Sequence, residues 1–168
     1  MSVIRTAILT LSDKGSRGER EDTGGPLIRE MISGINAATS YYEVIPDDRD
    51  LIKKKLIEFS DKVDLIITTG GTGLSPRDVA PDATLEVIEK EIPGIGEAMR
   101  RAGLQKTARA MLSRAVAGVR GKTLIINLPG SPKAVKEGLD AIMEVIPHAI
   151  EKIKGDESDC AVYDGGII

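Results

Sequence analysis

Short runs of aliphatic and β-branched residues alternate with longer helical stretches along this chain of 168 residues. Their almost unbroken apolar character is typical of strands in a sheet that is covered on both faces. Strands that alternate with helices form parallel βαβ units. The pattern therefore predicts an α/β fold: a three-layer α/β/α sandwich around a mostly parallel sheet. The predicted strands are residues 6–11, 41–45, 63–68 and 122–127, with a weaker candidate at 114–119.

Apolar residues recur at helical spacing between the strands, and Pro or Asp residues stand near the expected helix starts. Residues 12–25 are polar and rich in Gly, which predicts a mobile loop after the first strand. The whole chain, 1–168, is expected to be one domain, with 155–168 as a flexible tail or a segment that docks on a neighbouring subunit. The predicted helices are residues 26–31, 50–59, 82–92 and 93–104, and a long final helix from Ser131 that Pro147 kinks.

The charge and composition exclude several classes of function. A net charge of −3 and a pI of about 5.3 argue against a nucleic-acid-binding protein, which is usually basic. With only one Cys, Cys160, and one His, His148, neither an internal disulfide nor a Cys/His metal cluster is expected. No apolar run is long enough to span a membrane, and the N-terminus does not resemble a signal peptide, so we expect a cytoplasmic protein.

Four polar, glycine-containing loops follow predicted strands. Ligands of open α/β sheets bind beyond the carboxyl ends of the strands, where such loops meet. We therefore expect the functional site at this edge of the sheet. The four loops are Ser12-Asp13, Pro46 to Asp48, Thr69 to Gly73, and Leu128 to Pro132.

The third predicted strand runs into Thr69-Gly70-Gly71-Thr72-Gly73. Glycines let a backbone approach an anion closely and present N–H groups to it, and the threonine hydroxyls add further donors. The ligand expected for such a motif is a phosphate or a carboxylate. The motif is neither a P-loop nor a dinucleotide-binding fingerprint, because the Gly-Lys-Ser/Thr and the third glycine of those motifs are missing. A tight turn that merely uses glycine is the alternative.

Several aspartates stand near these loops. Asp47 and Asp48 follow the second strand, where a carboxylate holds Mg²⁺ beside a phosphate or, equally, caps the next helix. Asp82 stands where a helix N-cap belongs, but it is also near the glycine loop. Asp78 is either a second acid facing that loop or the ion-pair partner of Arg77.

The turn after the last strand contains Pro129, Gly130 and Ser131. Gly130 permits close approach to a ligand, and Ser131 is placed to cap the next helix or to bind a phosphate at its N-terminus. Ser113 is a further candidate for ligand contact. The sequence context of His148 favours a surface or packing role, and nothing around Cys160 would lower the pKa of a catalytic thiol.

These motifs in combination resemble the molybdopterin adenylyltransferases of the MogA/MoaB group, and the resemblance runs nearly the whole length of the chain. The fold implied is a three-layer α/β/α sandwich, usually assembled as a homotrimer. The matching segments are Thr68 to Gly73, Arg77 to Thr84, Pro93 to Arg100, Ser113-Arg114 and Asn127 to Lys133.

The resemblance implies transfer of AMP from Mg-ATP to the terminal phosphate of molybdopterin, with release of pyrophosphate. A molybdenum-insertion protein of the MoeA type would then accept the product. By the same resemblance, Asp47 and Asp82 match aspartates needed for turnover, with Asp47 as the candidate Mg²⁺ ligand. The substrate-binding positions implied are Thr69, Gly70, Gly71, Thr72, Gly73, Asp78, Ser113, Pro129, Gly130 and Ser131.

Two other functions remain open at this point. One is a catalytically inactive relative that binds molybdopterin or acts as a scaffold. The other is an unrelated phosphosugar or nucleotide enzyme on the same type of sheet, which would have no affinity for the pterin. The sequence also leaves open whether the chain is closer to the MogA or the MoaB subgroup, and whether Asp47 or Asp48 faces the metal.

Overall fold

The computed structural model describes residues 2–155. A six-stranded sheet in the order β2-β1-β3-β6-β5-β4 forms its centre. The strands are β1 (Ile4–Leu11), β2 (Ala37–Ile45), β3 (Leu65–Thr69), β4 (Lys90–Glu91), β5 (Ala117–Arg120) and β6 (Thr123–Leu128). The helices are α1 (Asp13–Ser16), α2 (Gly24–Ile32), α3 (Arg49–Ser60), α4 (Ala80–Val87), α5 (Pro93–Leu104), α6 (Pro132–Ile142) and α7 (Ile146–Ile153).

The sheet is parallel from β2 through β6, and β5 and β4 extend it in antiparallel pairing. Side chains alternate between its faces, so neighbours in one strand enter different cores. Ile8 and Ile67 pack with α2, α5, α6 and α7, whereas Leu9 and Ile66 pack with α3 and α4. Both faces are thus covered by helices, and the predicted three-layer α/β/α sandwich is confirmed.

The fourth helix is shorter than predicted. It ends at Val87 instead of residue 92, and Ile88 takes an extended conformation. Lys90 and Glu91 then form β4 at the edge of the sheet. The cause is tertiary, because the Ile88 side chain lies over Gly118 of β5, where a Cβ would stand 2.5 Å from Ile88 Cδ1.

Other boundaries also differ from the prediction, and the weaker predicted strand at 114–119 is observed as β5, which begins only at Ala117. The expected long final helix is divided by a 3₁₀ turn at Met143–Val145, and Pro147 lies in the first turn of α7 instead of kinking a continuous helix. The expected mobile loop at 12–25 contains α1 and the start of α2. Strand β2 begins four residues early, with a bulge opposite the step from Thr6 to Ala7.

Two predictions fall mostly or wholly outside the described residues: the flexible tail at 155–168, of which only Gly155 is described, and the role of Cys160. Within the part that is described, no helix combines the length and the apolar character needed to cross a membrane.

Candidate functional site

A polar cleft of about 610 Å³ lies at the carboxyl ends of β1 and β3. All four loops that the sequence singled out contribute to its walls or hold them in place. Asp47, Thr69, Gly70, Gly71, Asp78, Gly130 and Ser131 of the predicted site line this cleft, together with Thr10, Leu11, Ser12, Gly15, Arg20, Glu21, Asp22, Thr23, Gly24 and Pro132.

A second, mainly apolar hollow of about 300 Å³ lies between α5, α6 and the 3₁₀ turn at Ala108–Leu112. Of the predicted site residues, Thr72, Gly73, Ser113 and Pro129 line this hollow and not the polar cleft. The glycine turn, residues 69–73, and the turn at 129–131 each contribute to both spaces. These two turns therefore form the wall between the cleft and the hollow.

The two turns pack closely because both contain glycine. Gly70 has a φ of +97°, and a Cβ on it would lie 2.4 Å from the carbonyl oxygen of Leu11. A Cβ on Gly130 would lie 3.3 Å from the Cα of Gly70. The hydroxyl of Thr69 donates to the carbonyl of Pro129 at 2.7 Å, and the N–H of Gly70 donates to the carbonyl of Leu128 at 3.1 Å. Larger residues at 70 or 130 would push the wall apart.

The rest of the glycine turn leaves backbone donors available. The N–H groups of Gly71, Thr72 and Gly73 have no acceptor among residues 2–155. Gly71 has a φ of +64°, a conformation that favours glycine and turns the backbone sharply. Successive N–H groups in such a turn form a concave site for an anion. The turn therefore offers unpaired backbone donors that could bind an anion between the cleft and the hollow.

The structure separates Asp47 from Asp48. Asp48 caps α3, and its carboxylate accepts the N–H of Leu51 at 2.8 Å. Asp47 lines the cleft, where its carboxylate accepts the N–H of Asp13 at 3.1 Å and its own N–H donates to Asp13 at 3.0 Å. Burial raises the pKa of Asp47, and the nearby charge of Asp78 acts in the same direction. A cation in the cleft would relieve this repulsion.

The alternative ion pair between Arg77 and Asp78 does not form. Arg77 pairs instead with Asp13, with hydrogen bonds of 2.7 and 3.0 Å. The Asp78 carboxylate accepts the N–H of Ser75 at 2.9 Å and would lie 2.8 Å from a Cβ on Gly73. Asp78 is thereby held against the glycine turn and faces the same cleft as Asp47.

Asp82 does not cap α4, because the helix begins at Ala80 and the N-cap residue is Val79. Asp82 lies in the first turn and lines neither the cleft nor the hollow. Its carboxylate pairs with the guanidinium of Arg114, and the hydrogen bond and charge of Arg114 lower the pKa of Asp82. The same guanidinium donates to the carbonyls of Gly73, at 2.9 Å, and Asp78. Asp82 thus contacts the glycine turn through Arg114.

Sequence reasoning missed the far wall of the cleft, which contains Arg20 and Asp22. The Asp22 carboxylate accepts the N–H groups of Gly24 and Gly25 at 3.0 and 3.1 Å, at the start of α2. The signal available in the sequence was an Asp two positions before Gly-Gly-Pro, a pattern typical of a helix start. His148 lies in α7 and lines neither space.

No group of three or more His, Cys, Asp or Glu residues gathers into a metal site within residues 2–155. Mg²⁺ does not need such a cage, because it is commonly held by one or two carboxylates together with phosphate oxygens of a substrate. Asp47 in the cleft fits that donor set.

Comparison with known proteins gives a consistent result. Residues 7–148 match the family described as a probable molybdopterin binding domain. A molybdopterin adenylyltransferase from Helicobacter pylori is 45% identical over 160 residues, covering 93% of this chain and 91% of the relative. The enzyme of the same name from Escherichia coli is 40% identical, covering 89% and 81%.

Solved structures agree with these relatives. The molybdopterin biosynthesis enzyme MoaB from Thermus thermophilus has a TM-score of 0.86 and 52% identity, covering 91% of this chain and 98% of that one. The molybdopterin biosynthesis Mog protein from Mycobacterium ulcerans has a TM-score of 0.84 and 40% identity, covering 90% and 99%. The two subgroups are thus both represented among the similar structures. With the family matched over residues 7–148 and relatives aligned over most of their length, the chain belongs to the molybdopterin-binding family of molybdenum cofactor biosynthesis.

Proposed function

We propose that this chain transfers an adenylyl group from Mg-ATP to the terminal phosphate of molybdopterin and releases pyrophosphate. The observation that carries the proposal is the shared cleft of Asp47 and the glycine turn, in a chain whose relatives are molybdopterin adenylyltransferases. A carboxylate that faces a phosphate-binding turn is unfavourable unless a cation joins them. Mg-ATP supplies both the cation and the second phosphate substrate.

The two spaces suit the two parts of molybdopterin. The hollow is mainly apolar and contains Met99, Leu112 and Ala115, which fits the flat pterin ring system. The polar cleft fits phosphate groups. The N–H groups of Gly71 to Gly73 lie in the wall between the two spaces, where they would bind the terminal phosphate. This arrangement directs that phosphate toward ATP in the polar cleft.

Mg²⁺ bound with ATP would be held by Asp47, with Asp78 nearby in the same cleft. When bound, the ion neutralises charge on the triphosphate and orients it. Asp13 fixes the orientation of Asp47 through the two backbone–carboxylate hydrogen bonds, and Arg77 in turn holds Asp13.

The chain itself supplies positioning and charge, and no covalent intermediate on a side chain is needed. An oxygen of the terminal phosphate attacks the α-phosphorus of ATP, and the bond from that phosphorus to the bridging oxygen breaks. Pyrophosphate leaves with the electron pair. Bringing two polyanions together in a fixed geometry supplies most of the rate enhancement in such transfers. The residues that line the cleft include neither His nor Cys among those described.

We also propose that the chain acts in the cytoplasm as a homotrimer and passes its product to a MoeA-type molybdenum-insertion protein. The family resemblance supports these proposals. Exposed apolar side chains support an interface: Leu74, Leu104, Met111 and Leu112 are 43–65% exposed. Light scattering at micromolar concentration should give three times the chain mass of 17.9 kDa, and a monomer mass would contradict the trimer.

The decisive experiment incubates the chain with molybdopterin and Mg-ATP and follows adenylyl-molybdopterin by mass spectrometry. Formation of the adduct together with pyrophosphate supports the transferase. Pterin binding without an adduct would instead support the inactive binder or scaffold. Absence of any pterin affinity would favour an unrelated phosphosugar or nucleotide enzyme.

A further inference from the structure

Arg20 is the cationic side chain on the lining of the polar cleft, within the part of the chain that the structure describes. The other ionisable groups on that lining are the carboxylates of Glu21, Asp22, Asp47 and Asp78. Arg20 makes no ion pair with a described carboxylate, whereas Arg17 on the same segment is paired with Glu19 through hydrogen bonds of 2.8 and 3.0 Å. The charge of Arg20 is therefore available to a ligand.

The segment that carries Arg20 is held firmly at Asp22. One carboxylate oxygen accepts the hydroxyls of Thr10, at 2.6 Å, and Tyr42. The other accepts the N–H groups of Gly24 and Gly25 at the start of α2. Four donors from β1, β2 and α2 thus converge on one carboxylate, two residues from Arg20.

The Asp22 carboxylate, which holds this segment in place, stays ionised around neutral pH. Burial by itself would raise the pKa of Asp22, but the hydrogen bonds from Thr10, Tyr42 and the two glycines hold it below its ordinary value. Burial and the hydrogen bond to Asp22 raise the pKa of Tyr42 to about 12. The surroundings of the Asp22 carboxylate are also closely packed, since a Cβ on Gly25 would lie 2.4 Å from the Tyr42 ring.

We propose that Arg20 binds the phosphates of ATP that leave as pyrophosphate, and that Asp22 is the positioning residue that holds Arg20 over the cleft. This inference rests on the proposed adenylyl transfer. In the proposed reaction the backbone N–H groups of the glycine turn bind the phosphate of the pterin, so another donor is needed for the outer phosphates of ATP. A guanidinium presents several N–H donors in a plane and binds two phosphate oxygens at once.

The chemistry explains why a cation is useful there. When the bond between the α-phosphorus and the bridging oxygen breaks, the electron pair and its negative charge move onto the departing pyrophosphate. A cation already in place interacts more strongly with that product-like charge than with intact ATP. Arg20 is therefore expected to contribute to kcat as well as to the KM for ATP, and to leave the KM for molybdopterin unchanged.

The test measures binding of inorganic pyrophosphate, in the presence of Mg²⁺, by calorimetry on the full chain. Arg20→Ala should weaken pyrophosphate binding by about tenfold, as for loss of one charge-assisted contact, and Arg20→Lys should recover part of it. Arg17→Ala is the matched control, because Arg17 is on the same segment but is already paired with Glu19. Its affinity for pyrophosphate should equal that of the unmodified chain.

Kinetics test the role of Asp22. Asp22→Ala should raise the KM for ATP in the unmodified chain but have little further effect on that KM in the Arg20→Ala background. Tyr42→Phe removes one of the four donors and is the milder variant if Asp22→Ala does not fold. A purely structural role for Asp22 would instead give losses that add to those of Arg20→Ala.

Equal pyrophosphate affinity for Arg20→Ala and the unmodified chain would overturn the proposal. So would a rise in the KM for molybdopterin with the KM for ATP unchanged, or absence of pyrophosphate binding by the unmodified chain. If Arg20-dependent pyrophosphate binding is found but no AMP is transferred, the adenylyl transfer fails while the assignment of Arg20 to a phosphate stands.

Discussion

The guanidinium of Arg114 connects Asp82 to the glycine turn. It donates to both carboxylate oxygens of Asp82, at 3.2 and 3.1 Å, and to the carbonyl of Gly73 at 2.9 Å. The backbone N–H of Arg114 also donates to the carbonyl of Thr72 at 2.9 Å. We therefore expect Asp82 to act in the proposed reaction as a positioning residue for the turn, through the Arg114 side chain.

Asp82→Asn should leave the chain folded but lower adenylyl transfer by at least roughly tenfold, which corresponds to about 1.4 kcal/mol in the barrier. The reason is that an amide cannot hold the Arg114 guanidinium as a two-oxygen anion does. Glu86→Gln is the matched control. Glu86 also lies in α4 and pairs with two cations, Arg49 and Lys53 of α3, but it lines neither space.

The contact between Asp82 and Arg114 also predicts the outcome of a double-mutant experiment. Arg114→Gln should lower transfer by itself, and adding Asp82→Asn should lower it little further, since the two residues act as one unit. Steady-state kinetics on the four proteins check this. Near-normal transfer by Asp82→Asn, or fully additive losses, would show that Asp82 does not act through Arg114.

Asp47→Asn should abolish AMP transfer and retain molybdopterin binding. The glycine turn needs no metal to bind a phosphate, whereas ATP in an acidic cleft does. Chelation of divalent metal should have the same effect, and added Mg²⁺ should rescue the chelated chain but not the variant. Asp48→Asn is the control, because Asn caps a helix about as well as Asp and stability should change by less than about 0.5 kcal/mol.

Mass spectrometry of the product and fluorescence titration of the pterin measure these two steps separately. Equal transfer with and without chelator would contradict the role of Mg²⁺. Undiminished transfer by Asp47→Asn would move that role to another residue of the cleft.

Gly70→Ala should destabilise the fold by about 2 kcal/mol or more. The new Cβ would be at a φ of +97° and 2.4 Å from the carbonyl oxygen of Leu11, which is backbone and cannot rotate away. Urea unfolding measures the loss. Gly94→Ala is the control, since no atom lies within 4 Å of its Cβ, and it should be neutral or slightly stabilising. Similar losses for both variants would contradict the steric argument.

Asp64 predicts a pH dependence of stability. Its side chain is 4% exposed, and burial would raise its pKa, but hydrogen bonds from Arg5 and Lys154 lower that pKa to about 2 from 3.8. Because the folded-state pKa is the lower one, the stabilisation is complete above pH ~4 and disappears as the pH falls toward about 2.

Asp64→Asn should therefore cost about 2 kcal/mol of unfolding free energy at pH 7, and this difference should shrink between pH ~4 and pH ~2. Denaturant titrations across that range measure it. Asp140→Asn is the control, since Asp140 forms an exposed pair with Lys136 and its loss should cost under about 0.5 kcal/mol at every pH. A difference for Asp64→Asn that does not vary with pH would contradict the assignment.

The alternation of apolar strands and amphipathic helices was enough to predict the layered fold, because burial on both faces leaves its pattern directly in the sequence. The site's main loops were predictable for a related reason. Loops that follow parallel strands meet at one edge of the sheet, so Asp47, Gly70, Gly71 and Gly130 were expected together, and they do line one cleft.

Other features depended on contacts between distant residues. Whether Asp47 or Asp48 faces the cleft was settled by which carboxylate caps α3, and the partner of Asp82 was settled by the approach of Arg114, 32 positions away. Strand β4 exists because β5 offers a pairing edge, which overrides the helical pattern at Lys90 and Glu91.

The sequence by itself determined the fold class, the edge of the sheet where the polar cleft lies and the glycine-rich composition of the turn that lines it, since these follow from local pattern and strand order. Only the tertiary structure decided the division of the site into a polar cleft and an apolar hollow, and the exposure of Arg20 on the cleft wall. The physical reason is that side-chain partners are chosen by packing geometry and charge in three dimensions, which spacing along the chain does not encode.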